Sequence, residues 1–225
     1  MKKILPLLLV ALGALTSCAS GTKVSKEDYK KEADAVEDHP YTTATVTYSS
    51  TTTGKEADED DLEEKLEAGE KNIKVKTKAV NEKENWKETY NWDASKKAWV
   101  LSGEGDGDGA TMLAMTAAYY TDDELTEDYD VTYYVNPLKV NMKVEMDYSA
   151  SGVTMKGKSE TTMVFNKYGL LTSATGTAST TMTYSKEYLD SLAANYKTYY
   201  NVEVDFSAMS SLSEKTNAKI SISYK

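Results

Sequence analysis

The apolar residues of this chain fall into two regimes. The first is the run from Ile4 to Leu15, broken only by Pro6 and Gly13 and preceded by Met1-Lys2-Lys3. It is shorter than the about 20 apolar residues that a membrane-spanning helix needs. Its length and positive flank are those of a secretory leader. Past residue 25 the pattern breaks into short periodic segments. Ser25-Lys26-Glu27-Asp28 has a capping-box-like spacing, Tyr29, Ala33 and Val36 recur at helical spacing, and Pro40 marks a stop. One amphipathic helix of about three turns is predicted there.

From residue 41 the period is two. Strands are predicted over residues 41–53, 73–80, 86–92 and 98–102, the last two joined as a hairpin through Asp93-Ala94-Ser95-Lys96-Lys97. Residues 55–70 form an acidic interruption with Leu62 and Leu66 on one side of a short helix, 103–109 a loop, and 111–120 a second helix. The clearest alternation follows. Leu138, Val140, Met142, Val144, Met146 and Tyr148 alternate with Lys139, Asn141, Lys143, Glu145 and Asp147, which gives one buried and one wet face. Val153, Met155, Met163 and Phe165 continue this face after Ser149-Ala150-Ser151-Gly152, and Leu170, Ala174, Ala178, Met182 and Tyr184 after Asn166-Lys167-Tyr168-Gly169. A helix over residues 186–195 and strands over 201–206 and 218–224 complete the chain. The predicted class is β-rich α+β: a curved antiparallel sheet, a half-barrel-like meander, packed with about two to four short helices.

If both turns are four-residue loops, Tyr148 faces Val153 and Phe165 faces Leu170. Val144 then meets Gly157, Met142 meets Ser159, and Gly157, Ser159 and Thr161 meet Ala178, Gly176 and Ala174. All lie on the core face, whose middle is paved with small residues and rimmed by Met, Phe and Tyr. Small residues in mid-sheet forfeit packing. Either a helix presses closely against this hollow or the hollow is part of an apolar ligand cavity. The candidate ligand-binding residues are Met142, Val144, Gly157, Ser159, Ala174, Gly176 and Ala178.

Composition narrows the partners. The chain has 225 residues and a net charge of −10, with lysine as its only strongly basic residue type. It has neither the positive field nor the bidentate arginine fork that phosphate recognition favours, which argues against nucleic acid. The 17 tyrosines against 2 phenylalanines suit half-buried sheet surfaces, where a flat apolar body carries a polar tip.

Leu15-Thr16-Ser17-Cys18 ends the leader, and Cys18 is the single cysteine of the chain, so it has no disulfide partner. This resembles the lipobox of bacterial lipoproteins. The resemblance implies a diacylglyceryl group on the Cys18 sulfur, acyl chains such as palmitate, and cleavage between Ser17 and Cys18. On that reading residues 1–17 are a signal peptide, 18–25 a lipidated tether and 26–225 one β-rich domain. The protein is exported and held at the outer face of the cytoplasmic membrane, or at the outer membrane if the host has one. Loss of Lys2 and Lys3 leaves 24 lysines against 36 carboxylates, a net charge of −12. Such a chain is repelled by an anionic surface, so the lipid is its main attachment.

Helix first, then a long antiparallel meander entered through Tyr134-Val135-Asn136-Pro137-Leu138, resembles the half-barrel lipoproteins and carriers of the LolA and LppX type. That resemblance implies a sheet wrapped around helices that holds acyl chains; the chain departs from the LolA carriers in being acidic and lacking Arg. Catalytic candidates are few. His39 is the only histidine, and with no free cysteine beyond the lipobox most triads and His-rich metal sites fall away. His39 reads as a structural residue near a helix C-terminus. No two carboxylates are singled out for glycoside hydrolysis. Glu104-Gly105-Asp106-Gly107-Asp108-Gly109 matches the start of a calcium loop, but Met112 and Met115 stand where its later ligands belong. No cofactor, metal or catalysis is expected. The expected function is binding or carrying an apolar ligand or lipid; the alternative is an envelope-structural or surface-interaction lipoprotein without a cavity.

Overall fold

The computed structural model describes residues 21–56, 71–82, 85–104, 113–206 and 211–225. In chain order the elements are β1 (Thr22–Val24), α1 (Lys26–Asp34), β2 (Thr43–Glu56), β3 (Lys71–Glu82), β4 (Asn85–Asp93) and β5 (Ala98–Glu104). A 3-10 turn (Ala118–Thr121) and the single-turn α2 (Asp123–Thr126) follow, then β6 (Asp130–Val135), β7 (Lys139–Ala150), β8 (Val153–Phe165), β9 (Leu171–Tyr184), α3 (Lys186–Tyr200) and β10 (Ser211–Tyr224). The expected β-rich α+β class with a large antiparallel sheet is the one the chain adopts. The strands run β1-β6-β7-β8-β9-β10-β2-β3-β4-β5, every pair antiparallel, and the sheet is not closed into a barrel.

Local chemistry explains the boundaries. Ser25 caps α1, its Oγ accepting from the Asp28 amide at 3.1 Å. Ser185 caps α3 in the same way, accepting from the Tyr188 amide at 3.2 Å, and Asn201 ends it at φ 55°, a left-handed conformation that Asn tolerates. The β4–β5 hairpin turns where expected. The Asp93 carboxylate accepts from the Ser95 hydroxyl and the Ser95 and Lys96 amides, bonds that depress its pKa to about 2.

The sheet corrects the expected register by two residues in both hairpins. The β7–β8 turn is a two-residue Ser151-Gly152 turn with both φ positive, 52° and 81°, so Ala150 pairs with Val153 and Tyr148 with Met155. Val144 therefore meets Ser159, not Gly157, and Met142 meets Thr161, not Ser159. Across β8–β9, Ser159 meets Ala178, Thr161 meets Gly176 and Met163 meets Ala174. A bulge beside Phe165 pairs that residue with Leu171 rather than Leu170. A slip of two keeps side-chain parity, so the expected face survives.

Other elements differ from their expectation. Thr22–Val24, read as tether, pair with Val135–Tyr133 as an edge strand. Helix α1 stops at Asp34, well before Pro40. The described part of the helix expected over 111–120 is a bent segment: Thr116 bridges Leu170 and the Ala117 amide donates to the Gly169 carbonyl at 2.7 Å. Helix α3 runs on to Tyr200, residues 201–206 form no strand, and β10 begins at Ser211 instead of 218. The acidic segment over 57–70 and the candidate calcium ligands Asp106 and Asp108 lie outside the described residues.

One apolar cluster holds α1 and residues 113–120 against the sheet. Tyr29, Leu113, Ala117, Val140, Phe165, Leu171 and Ile220 are each at most 2% exposed within it. Tyr29 is fully buried, its ring centroid 5.0 Å from that of Tyr133, and its hydroxyl has no hydrogen-bond partner. Burial drives its pKa upward. An unpaired buried hydroxyl carries a desolvation cost without a compensating bond. Tyr29→Phe is therefore expected to leave unfolding free energy unchanged or raise it by about 1 kcal/mol in urea denaturation. A loss above about 2 kcal/mol would mean that the hydroxyl is bonded after all.

Candidate functional site

The cross-strand pairs order the core face into rows. Val140, Met163, Ala174, Ile220 and Tyr48 form one row across β7, β8, β9, β10 and β2, and it belongs to the apolar core. The next is Met142, Thr161, Gly176, Ala218 and Ser50, then Val144, Ser159, Ala178, Thr216 and Thr52. A further row begins Met146, Gly157 and Thr180. Directly opposed residues of antiparallel strands share a face. All seven expected site residues thus lie on one face over four adjoining rows, Ala174 in the core row and Gly157 three rows away.

The face is more hydroxylic than its apolar residues alone suggest. Ser50, Ser159 and Thr161 are buried at 7, 6 and 5% exposure. The Thr52 and Thr216 hydroxyls bond to each other at 3.0 Å. The Ser159 Oγ, in the same row with Ala178 between it and Thr216, is buried with no hydrogen-bond partner. A buried polar atom without a partner is uncommon in a native fold, and a bound group or ordered water is one way to satisfy it. Gly157 is not the open point of this surface. A Cβ there would lie 2.9 Å from the Met146 methyl and 3.1 Å from the Ser179 carbonyl oxygen, so Met146 already covers it.

Ser50, Thr52, Thr216 and Ala218 are site residues that sequence reasoning missed. They belong to β2 and β10, and β10 inserts between β9 and β2. Thr52 and Thr216 are 164 positions apart in the chain yet directly opposed in the sheet, and Ser50 and Ala218 are likewise opposed beside them. Ser50, Thr52 and Ala218 fell in predicted strands but their neighbours could not be read, and Thr216 lay before the strand expected over 218–224.

Two depressions lie elsewhere. One, of about 450 Å³, is lined by Lys26, Glu27, Lys30 and residues 121–123, where Lys26 is paired with Asp123 at 2.5 Å. That contact raises the Lys26 pKa and lowers that of Asp123. The other, of about 440 Å³, is lined by Val36, Pro137, Leu138, Phe165, Lys167 and Tyr168 among others. His39 lies beyond the end of α1, stacked on Trp86 at 5.6 Å and Tyr41 at 5.9 Å, so its surroundings are aromatic rings and not a helix terminus. Among the described residues no group of His, Cys, Asp and Glu could hold a metal ion, and no helix is long and apolar enough to cross a membrane. Cys18 and the expected leader, residues 1–17, lie outside the described residues.

Comparisons with protein-family models, curated proteins and solved structures give no match.

Proposed function

We propose that this chain is an exported, non-catalytic lipoprotein, anchored by lipid on Cys18, that binds or carries an amphiphile on the hydroxyl-lined face of its sheet. The observation that carries the binding reading is the buried, partnerless Ser159 Oγ within rows of small and hydroxyl residues flanked by Met142, Val144 and Met146. Such a surface offers an acyl chain apolar contact on β7 and offers a polar group a hydrogen bond on β8. The leader, its h-region and the lone cysteine support the anchor. An open antiparallel sheet is also the frame expected of half-barrel lipoproteins.

The test is native mass spectrometry of the chain from residue 18, carrying Cys18→Ser and made in bacterial cytosol. A reproducible lipid adduct is expected, reduced about tenfold by Gly176→Leu, which puts an isobutyl group into the middle of the face; a factor of ten corresponds to about 1.4 kcal/mol. A clean apo mass, unchanged on adding fatty acids or phospholipids, would remove the binding reading. The alternative, a surface-interaction lipoprotein, is favoured by one feature: Tyr199, Tyr200 and Val202 at the end of α3 are 79, 70 and 48% exposed. Clustered exposed aromatics of this kind mark contact surfaces.

A further inference from the structure

The point where the chain leaves the sheet toward Cys18 is fixed by β1. A Cβ on Gly21 would lie 2.9 Å from Tyr134 Cβ, 3.1 Å from the Val135 carbonyl oxygen and 3.4 Å from that of Pro137. Gly21 is therefore held against the β6–β7 turn. Three peptide units separate it from Cys18, a reach of about 10 Å at full extension. On the lipoprotein reading, on which this inference rests, this end of the sheet must lie within that distance of the bilayer.

The same end carries the depression of about 440 Å³. Its lining is mixed: Val36, Val135, Pro137, Leu138 and Phe165 are apolar, and Glu32, Glu37 and Lys167 are charged. Tyr168 lines it and starts a chain of rings across the sheet end: Tyr41 lies 5.5 Å from Tyr168 and 5.2 Å from Tyr224, and His39 bridges Tyr41 to Trp86. Lys167 Nζ sits 4.7 Å from the centre of the Tyr168 ring. Tyr and Trp prefer the headgroup level of a bilayer, where an apolar ring and a polar tip are both accommodated. The opposite end of the sheet, at the β7–β8 turn, is about 40 Å away along the 12 residues of β7.

We infer that the sheet end formed by the β6–β7 and β8–β9 turns rests on the bilayer and that its depression accepts a zwitterionic phospholipid. The lining supplies both signs, Lys167 for the phosphate and Glu32 and Glu37 for the ammonium, and the acidic chain disfavours an anionic lipid.

Photo-crosslinking tests this. The full chain, purified from bacterial membranes, is placed in phosphatidylcholine vesicles containing a diazirine-bearing phosphatidylcholine, and adducts are mapped by mass spectrometry. Adducts are expected on residues 135–138 and 165–168, with at least about fivefold fewer when Val36→Glu puts a charge among the apolar lining residues. Adducts on residues 196–202, an even spread, or none on a chain that floats with the vesicles would overturn the inference. So would equal labelling by a phosphatidylglycerol probe, as far as headgroup choice is concerned. If Cys18 carries no lipid, the lipoprotein reading fails separately. The full chain is then coupled at Cys18, its single thiol, to a maleimide phospholipid, and the same map decides the orientation.

Discussion

Phe165→Ala is expected to lower the unfolding free energy by about 3–5 kcal/mol, measured by urea denaturation with the slope of the transition unchanged. Phe165 is 2% exposed and lies at the last position of β8, where three parts of the fold meet. Its amide donates to the Leu138 carbonyl at 2.9 Å, its ring is 5.7 Å from that of Tyr120, and it pairs with Leu171 across the β8–β9 bulge. Truncation removes the transfer energy of the ring and leaves a void that β-strands on both sides cannot close. A loss below about 1 kcal/mol would mean that residues 113–120 do not pack on the sheet as described.

Gly152→Val is expected to cost about 2–4 kcal/mol and to detach the start of α3 from the first hairpin. Gly152 has φ 81°, and a Cβ there would lie 2.6 Å from Ser185 Oγ and 2.8 Å from Tyr188 Cβ. The strain of a β-branched residue at positive φ adds to a clash with the residue that caps α3. Gly169→Ala is the internal comparison. Gly169 also has positive φ, 69°, but its nearest neighbours are Val36 methyl carbons at 3.4 and 3.5 Å, so strain of about 1–2 kcal/mol should dominate. Circular dichroism and urea denaturation of both variants separate the two contributions. Equal losses would show that Gly152 does not bear on α3.

How much of this was legible before the structure follows from which forces are local. Parity was legible: Met142, Val144, Ser159, Gly176 and Ala178 alternate with charged or hydroxyl residues, and alternation alone decides which face a strand residue takes. Register was not, because it depends on turn type. A two-residue turn at Ser151-Gly152 moved the β7–β8 pairing by an even step, and the β8–β9 pairing beyond the bulge at Phe165 moved by the same step. The face stayed intact and every partner changed. The insertion of β10 between β9 and β2 is a long-range pairing, and nothing in the local pattern of Ser50 or Thr216 names its partner.

Two misreadings show tertiary contacts overriding local preference. Residues 113–120 have the Ala, Leu and Met content of a helix, yet the Ala117 amide bonds to the Gly169 carbonyl and Thr116 bridges Leu170, so the segment is held against the β8–β9 turn. Asn201 to Phe206 alternate as cleanly as any strand here, but they follow a left-handed Asn201, and Val202 remains 48% exposed. Alternation without a partner strand gives no strand. The proposed leader and the lipobox at Cys18 rest on length, charge and residue type alone, and they lie outside the described residues, so the fold does not bear on them.

The most direct measurement is a methyl NMR titration of the chain, with the methionine methyls labelled, against a soluble fatty acid. Met146 and Met142 lie on the hydroxyl-lined face, Met142 also packing against the edge of the apolar core, whereas Met115 is buried within that core and accepts a bond from the Tyr120 hydroxyl at 3.3 Å. Saturable shifts of the Met142 and Met146 methyls, with Met115 unmoved and the response lost in Gly176→Leu, are the expected result. Unchanged Met142 and Met146 signals at fatty acid excess, or shifts confined to other methionines, would contradict binding on this face.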